Sequence, residues 1–135
     1  MKQLTFLIII LNSLFVEGQY TFDIARIDSN YQKHLNSGID MLGCSRNYYL
    51  QMDSVLNVVY KRLRSALDDN QKLDLKKEQL DWLKQRDKYF EEQNKIFQDK
   101  FNSGEWGNDM AMITYDNEAK YVKKRIIELI RRIRK

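Results

Sequence analysis

The chain has 135 residues, a net charge of +4, one cysteine, one histidine and no proline. That length holds one small domain rather than two, and the missing prolines with only five glycines leave long helices unbroken, which points to an all-α fold. A single Cys44 cannot form an intramolecular disulfide, and with a single His34 it excludes the usual nucleophile and base pairs, thiol redox motifs and zinc ligand sets.

In chain order, Met1 to Gly18 differs in kind from the rest. Lys2 gives a positive start, Leu4 to Leu14 is almost wholly apolar, and Val16 and Gly18 are small residues at the spacing a signal peptidase requires. The apolar run is far shorter than the roughly 20 residues that span a bilayer. It reads as a cleaved signal peptide over residues 1–18, leaving one helical domain over 19–135 in a periplasmic or secreted protein. Met41-Leu42-Gly43-Cys44 superficially resembles a lipoprotein acylation site, but it lies well downstream of the apolar run that such a site must directly follow. Cys44 is therefore expected to be a buried, inert thiol.

Gln19 to Gly43 is weakly patterned. Tyr20, Phe22, Ile24, Ile27, Tyr31 and Leu35 would cover one end of a core, and Asp28 or Ser29 would cap a short helical segment. His34 reads as a surface or capping residue. From Ser45 to Leu67 the pattern becomes regular, with Met52, Val55, Leu56, Val59, Leu63, Ala66 and Leu67 at alternating three and four spacing, the apolar face of an amphipathic helix. Asp68-Asp69-Asn70 then makes a tight turn. A second helix is predicted over 71–100, with Leu73, Leu80, Leu83, Phe90, Phe97 and Phe101 inward. Phe101 to Gly107 breaks it. A third helix, over 108–134, carries Tyr115, Ala119, Val122, Ile126, Leu129 and Ile133 as the cleanest apolar stripe in the chain. Three long helices joined by short turns must pack as an antiparallel bundle, with the N-terminal segment at one end.

No residue set points to catalysis, to a metal or to a cofactor, because paired carboxylates on charged helices mostly serve solubility and no Gly-rich phosphate loop is present. The positive charge gathers in the last helix, at Lys120, Lys123, Lys124, Arg125, Arg131, Arg132, Arg134 and Lys135. Nucleic-acid binding would rest on that run alone, and export argues against it. Two readings remain for it: a solvated helix face whose C-terminal end favours cations, or peripheral contact with an anionic membrane surface or polymer.

The unusual feature is polar. Asp53, Asn57 and Tyr60 share one stripe of the first long helix, and Gln79, Trp82 and Arg86, flanked by Asp87, share one stripe of the second. Facing each other across the hairpin, they predict a polar network that sets helix register, since buried polar groups must be paired. Taken together, Cys44, Asp53-x-x-Leu56-Asn57-x-x-Tyr60, Gln79-x-x-Trp82-x-x-x-Arg86-Asp87, the Gly104 to Gly107 turn and Arg125-x-x-Glu128-Leu129 resemble the LprI-type lysozyme inhibitor domain of exported bacterial proteins. The resemblance covers about Met41 to Ile130.

It implies an all-helical binding protein that is not an enzyme, with lysozyme or another cell-wall hydrolase as partner and protection of peptidoglycan as the role. It also implies that Asp53, Leu56, Asn57, Tyr60, Gln79, Trp82, Arg86, Asp87 and Arg125 are mainly structural. The family usually has two cysteines where this chain has Phe90 and Glu118, so the second and third helices must be joined here by packing, with Phe90 buried. Glu105, Trp106 and Asp109 in the Gly-rich turn are the expected partner-binding cluster. The alternative is an envelope module contacting anionic lipid or cell-wall polymer through its basic last helix.

Overall fold

The computed structural model describes the backbone of residues 2–133 and the side chains of residues 18–133. Four α-helices follow one another: α1 (Lys2–Ser37), α2 (Met41–Ser65), α3 (Asp69–Asn102) and α4 (Ala111–Ile133), with a single 3-10 turn at Asn108–Met110 before α4. The all-α bundle is as the sequence predicts. The N-terminal segment is not short, however. The helix runs unbroken through residues 19–37, so Asp28 and Ser29 lie inside α1 and cap nothing. The side chains of residues 1–17, on which the signal-peptide reading rests, and Arg134 and Lys135 lie outside the described residues.

Local chemistry sets the turns. Asp40 caps α2 with φ +45°, its Oδ1 accepting from the Gly43 amide at 3.0 Å. A Cβ on Gly43 would stand 2.1 Å from the Asp40 carboxylate, so a side chain there would displace the capping group. The Met41 to Cys44 tetrapeptide is thus a helix start. Between α2 and α3, Asp68 and Gln71 form a reciprocal capping box: the Gln71 amide donates to Asp68 Oδ1 at 2.9 Å and the Asp68 amide to Gln71 Oε1 at 3.1 Å. The box lets α3 begin at Asp69, so the turn is tighter than Asp68-Asp69-Asn70 alone suggests.

The core forms where α2 meets α4, the most intimate helix pair. Met52, Leu56, Val59 and Leu63 from α2 interlock with Ala119, Val122, Ile126 and Leu129 from α4, and the small Ala119 lets the two backbones approach. Each fully buried large apolar side chain contributes roughly 1.5–3 kcal/mol, so this pair dominates the apolar stabilisation. Tyr49 against Phe90 places α2 antiparallel to α3, and Gln93 against Asn117 places α3 antiparallel to α4, so α2 and α4 run parallel.

α1 joins through Ile24, Ile27 and Tyr31. The Tyr31 and Tyr48 rings stack at 4.2 Å, Tyr31 shares a hydrogen bond with Ser45 Oγ at 3.0 Å, and Tyr48 donates to Asp28 Oδ1 at 2.8 Å. Lys123 of α4 donates to the other Asp28 oxygen at 2.5 Å, so one carboxylate ties three helices. Burial first, then the Asp28 carboxylate, push the Tyr48 hydroxyl far above its ordinary range, which keeps it a donor. Phe22 is instead exposed.

α3 departs most from expectation. Only Leu75 is buried on it, while Leu73 (65% exposed), Leu80 (49%) and Phe101 (40%) face solvent. The inward stripe is Leu75, Gln79, Trp82, Arg86, Phe90, Gln93 and Phe97, all at least partly buried. Polar and aromatic residues hold this helix where aliphatic ones hold the others. Replacing the cap, Asp68→Ala, is expected to lower stability by about 1 kcal/mol in chemical denaturation, whereas Asn70→Ala, one turn position on and exposed, is expected to be neutral within about 0.5 kcal/mol.

Candidate functional site

Two groups of side chains stand out: a polar seam between α3 and α4, and the turn that joins them. In the seam, Arg125 is the centre. Its side chain is 6% exposed, Nε and Nη2 donate to Gln79 Oε1 at 3.1 and 3.0 Å, and Nη1 lies 2.8 Å from Glu78 and 3.3 Å from Glu128. Glu78 also pairs with Arg132 at 2.7 Å. Burial pushes the Glu78 carboxyl up, but the bonds from Arg132 and Arg125 outweigh it and hold it below its usual range. The Arg125 guanidinium lies 5.9 Å from the Trp82 ring and Arg86 lies 5.8 Å from it, so the indole sits between two cations. Trp82 stacks on Tyr121, and Tyr121 on Tyr89 at 4.5 Å.

The α2-facing network is looser than the sequence implies. Arg86 gives its two closest bonds to its neighbour Asp87, at 3.0 and 2.6 Å, and stands 3.9 Å from Asp53. Asn57 donates back to the Asp53 carbonyl at 3.0 Å and to its carboxylate at 3.4 Å within α2. Leu56 is core, and Tyr60 is half-buried against it. Gln79 therefore meets Arg125 of α4 instead of the α2 stripe. The predicted single network divides in two: a weak α2/α3 contact through Arg86 and Asp53, and a buried α3/α4 contact through Arg125. Two of its members, Glu78 and Tyr121, escape the sequence reading; both sit on the helical stripes already singled out, Glu78 beside Gln79 and Tyr121 four residues before Arg125.

Phe90 and Glu118, which stand where the resemblance places cysteines, behave differently from each other. Phe90 is half-buried, not fully buried, with its ring edge-on to Tyr49 and Tyr121 and 5.6 Å from the Arg86 guanidinium. Glu118 is 5% exposed on α4. Burial raises its carboxyl to about 7, against the opposing pull of Arg86. Arg86 is itself engaged by Asp87 and Asp53, which leaves Glu118 without a close cation. Cys44 is half-buried, its thiol donating to the Tyr31 carbonyl at 3.9 Å, and burial followed by the nearby Asp40 charge raises it above the ordinary thiol range.

At the turn, Gly104 adopts φ +76°, a conformation that a side chain would strain. The amides of Glu105 and Trp106 both donate to the Lys100 carbonyl, at 3.0 and 3.2 Å, closing the end of α3. Glu105 pairs with Lys100 and accepts from Ser103 Oγ at 3.1 Å; those two bonds lower its carboxyl from the ordinary value. Trp106 is half-buried, its ring 6.3 Å from Phe97, which in turn stacks on the exposed Phe101. Asp109 is exposed on the 3-10 turn. The three residues are thus brought together at one tip of the bundle, with Glu105 partly neutralised. Among the described residues no group of three His, Cys, Asp or Glu side chains is placed to hold a metal ion.

Compared with known proteins, residues 29–129 match the family model described as lysozyme inhibitor LprI. The matched span begins inside α1 and takes in α2, α3, the turn and nearly all of α4. No curated protein and no solved structure matches.

Two predictions test the seam. Arg125→Ala leaves Gln79, Glu78 and Glu128 without their shared donor and is expected to cost about 3 kcal/mol of stability, against about 1 kcal/mol for the half-exposed Arg86→Ala, both by urea denaturation. For Glu118 the folded value lies above the ordinary carboxyl value of 4.5, so the folded chain holds the proton more tightly than the unfolded one. Its contribution is full below about pH 4.5, falls as pH rises toward 7, and is flat beyond. Glu118→Gln should therefore match the parent at pH 4 and exceed it by roughly 3 kcal/mol at pH 8.

Proposed function

Because the chain belongs to the lysozyme inhibitor LprI family, as the match over residues 29–129 shows, we propose that it is an exported, non-catalytic inhibitor of lysozyme or a related cell-wall hydrolase. The family match carries this reading. The composition of residues 1–18 supports export by signal-peptide cleavage, and among the described residues the α1 side chains that enter the core are Ile24, Ile27 and Tyr31. Cleavage after Gly18 keeps those contacts. The protein would then work in the periplasm or outside the cell, shielding peptidoglycan from hydrolysis.

We assign the contact surface to the α3/α4 turn. A part-exposed Trp106 backed by Phe97 and Phe101, with Glu105 and Asp109 beside it, offers an aromatic wedge rimmed by acids, the residue types that carry binding energy and complement a cationic cleft. The hydrogen bonds onto the Lys100 carbonyl hold the wedge in place before a partner arrives, which reduces the entropy lost on binding.

With the chain beginning at Gln19 and the full chain side by side, lysozyme turnover of cell-wall substrate should fall at micromolar inhibitor. Trp106→Ala should weaken inhibition at least tenfold, and Asp109→Ala several-fold, without loss of helical circular dichroism. Unchanged inhibition in both variants would remove the turn from the interface; no inhibition by the parent would remove the lysozyme reading itself.

A further inference from the structure

The α3/α4 seam leaves an open groove of about 530 Å³ on the side away from Arg125. Its walls are the Tyr89 and Tyr121 rings and Ile127, with Lys120, Lys123 and Lys124 along its α4 edge, and no carboxylate lines it. That is notable in a chain with 19 acidic residues. The groove adjoins, through Tyr121 and Lys124, the polar depression over Trp82 and Arg125, which Glu78, Asp81 and Glu128 also line. Of the three lysines, Lys120 pairs with Asp116 and Lys123 with Asp28, each at 2.5 Å. Lys124 is exposed and faces into both depressions.

Lys124, with no carboxylate partner among the described residues, stands over an aromatic and aliphatic floor and complements a ligand that is anionic at one end and apolar at the other. Arg131 is exposed about two turns beyond Lys124 on the same outer side of α4, with Glu128, which pairs with Arg125, between them. Exposed cations spread from Lys120 to Arg131 beside an apolar groove fit a surface more closely than a single small anion. We propose that this face of α3 and α4 docks onto an anionic phospholipid bilayer, with a lipid headgroup phosphate at Lys124 and its first acyl carbons over Tyr89 and Ile127. Lipid attraction to lysines near a bilayer and partial burial of aromatic rings at its interface are general. Among the described residues no helix is long and apolar enough to cross a membrane, and the proposed contact is a peripheral one. This surface is independent of the inhibitor reading, because it uses none of the turn residues.

The test is co-sedimentation of the full chain with vesicles of phosphatidylcholine alone or with about one third phosphatidylglycerol, at low and physiological salt. Binding should require the anionic lipid and weaken with salt. Lys124→Gln should weaken it about fivefold, whereas Lys61→Gln, an exposed lysine on α2 with the same effect on net charge, should change it less than twofold. Equal losses in both variants would mean that net charge alone is sensed, and overturn the site. So would binding to sn-glycerol 3-phosphate in solution without binding to vesicles, which marks a small-anion site, or retention on insoluble anionic cell-wall polymer in place of the lipid.

Discussion

The buried Arg125 guanidinium is the constraint on which the position of α3 depends. A charge with 6% exposure is costly unless all its donors are met in fixed geometry. Gln79 on α3 takes two of them, Glu78 and Glu128 supply the counter-charge, and the Trp82 ring covers the remainder. Slipping α3 by one residue along α4 would replace Gln79 with Leu80 or Glu78 and break the set. Such a centre contributes modestly to net stability compared with an apolar pair of equal volume, yet it penalises every alternative register. That suits a helix that brings only Leu75 to full burial.

The bundle is consequently asymmetric. α1, α2 and α4 share a continuous apolar core, extended by the Tyr31 and Tyr48 stack and by Asp28, whose carboxylate receives both Tyr48 and Lys123. α3 leans against this unit through Trp82, Tyr89, Phe90 and Tyr121. Large rings keep its backbone farther from its neighbours than Ala119 keeps α2 from α4, and the space between rings opens as grooves along the seam. Glu118 sits under the same ring layer. Its raised carboxyl follows from burial beside Tyr49 and Tyr89, while Arg86 is engaged by Asp87 and Asp53.

The stripes of α2 and α4 were legible because strict three and four spacing of aliphatic residues has one physical solution, and the observed core repeats it almost residue by residue. The phase of α3 was not, because the reading followed apolarity. Leu73 and Leu80 look like core residues but share a stripe that faces water, while the inward stripe carries Gln79, Arg86 and Gln93. Polar residues at core spacing were visible, but their partner on α4 was not: nothing in one sequence says whether Gln79 meets α2 or α4. α1 was underestimated for a different reason. Its buried side chains, Ile24, Ile27 and Tyr31, are few and mixed in kind, so its periodicity is weak, and its helix continues through the change of composition at Gly18 instead of starting after it. The turn residues Glu105, Trp106 and Asp109 were legible as a cluster, whereas the pairing of Glu105 with Lys100, five residues earlier, needed the αL geometry at Gly104 to bring the two together.

The distribution of charge along α4 bears on how a positively charged chain could approach a basic enzyme. Antiparallel order places the α3/α4 turn beside the α1/α2 turn, with Asp40 and Asp109 there and Asp99 and Glu105 paired with Lys95 and Lys100, and sends Arg131 and Arg132 to the opposite end. At about 1.5 Å per residue, α4 separates the two ends by roughly 35 Å, several times the Debye length of about 8 Å at physiological salt. The basic end is therefore screened from a partner at the turn. A cationic enzyme approaching the turn would therefore meet little net charge there. In that arrangement the net charge of +4, much of it carried along α4, opposes the proposed inhibition only weakly. The lysine-lined groove begins nearly two turns into α4, at Asn117, and uses none of the turn residues.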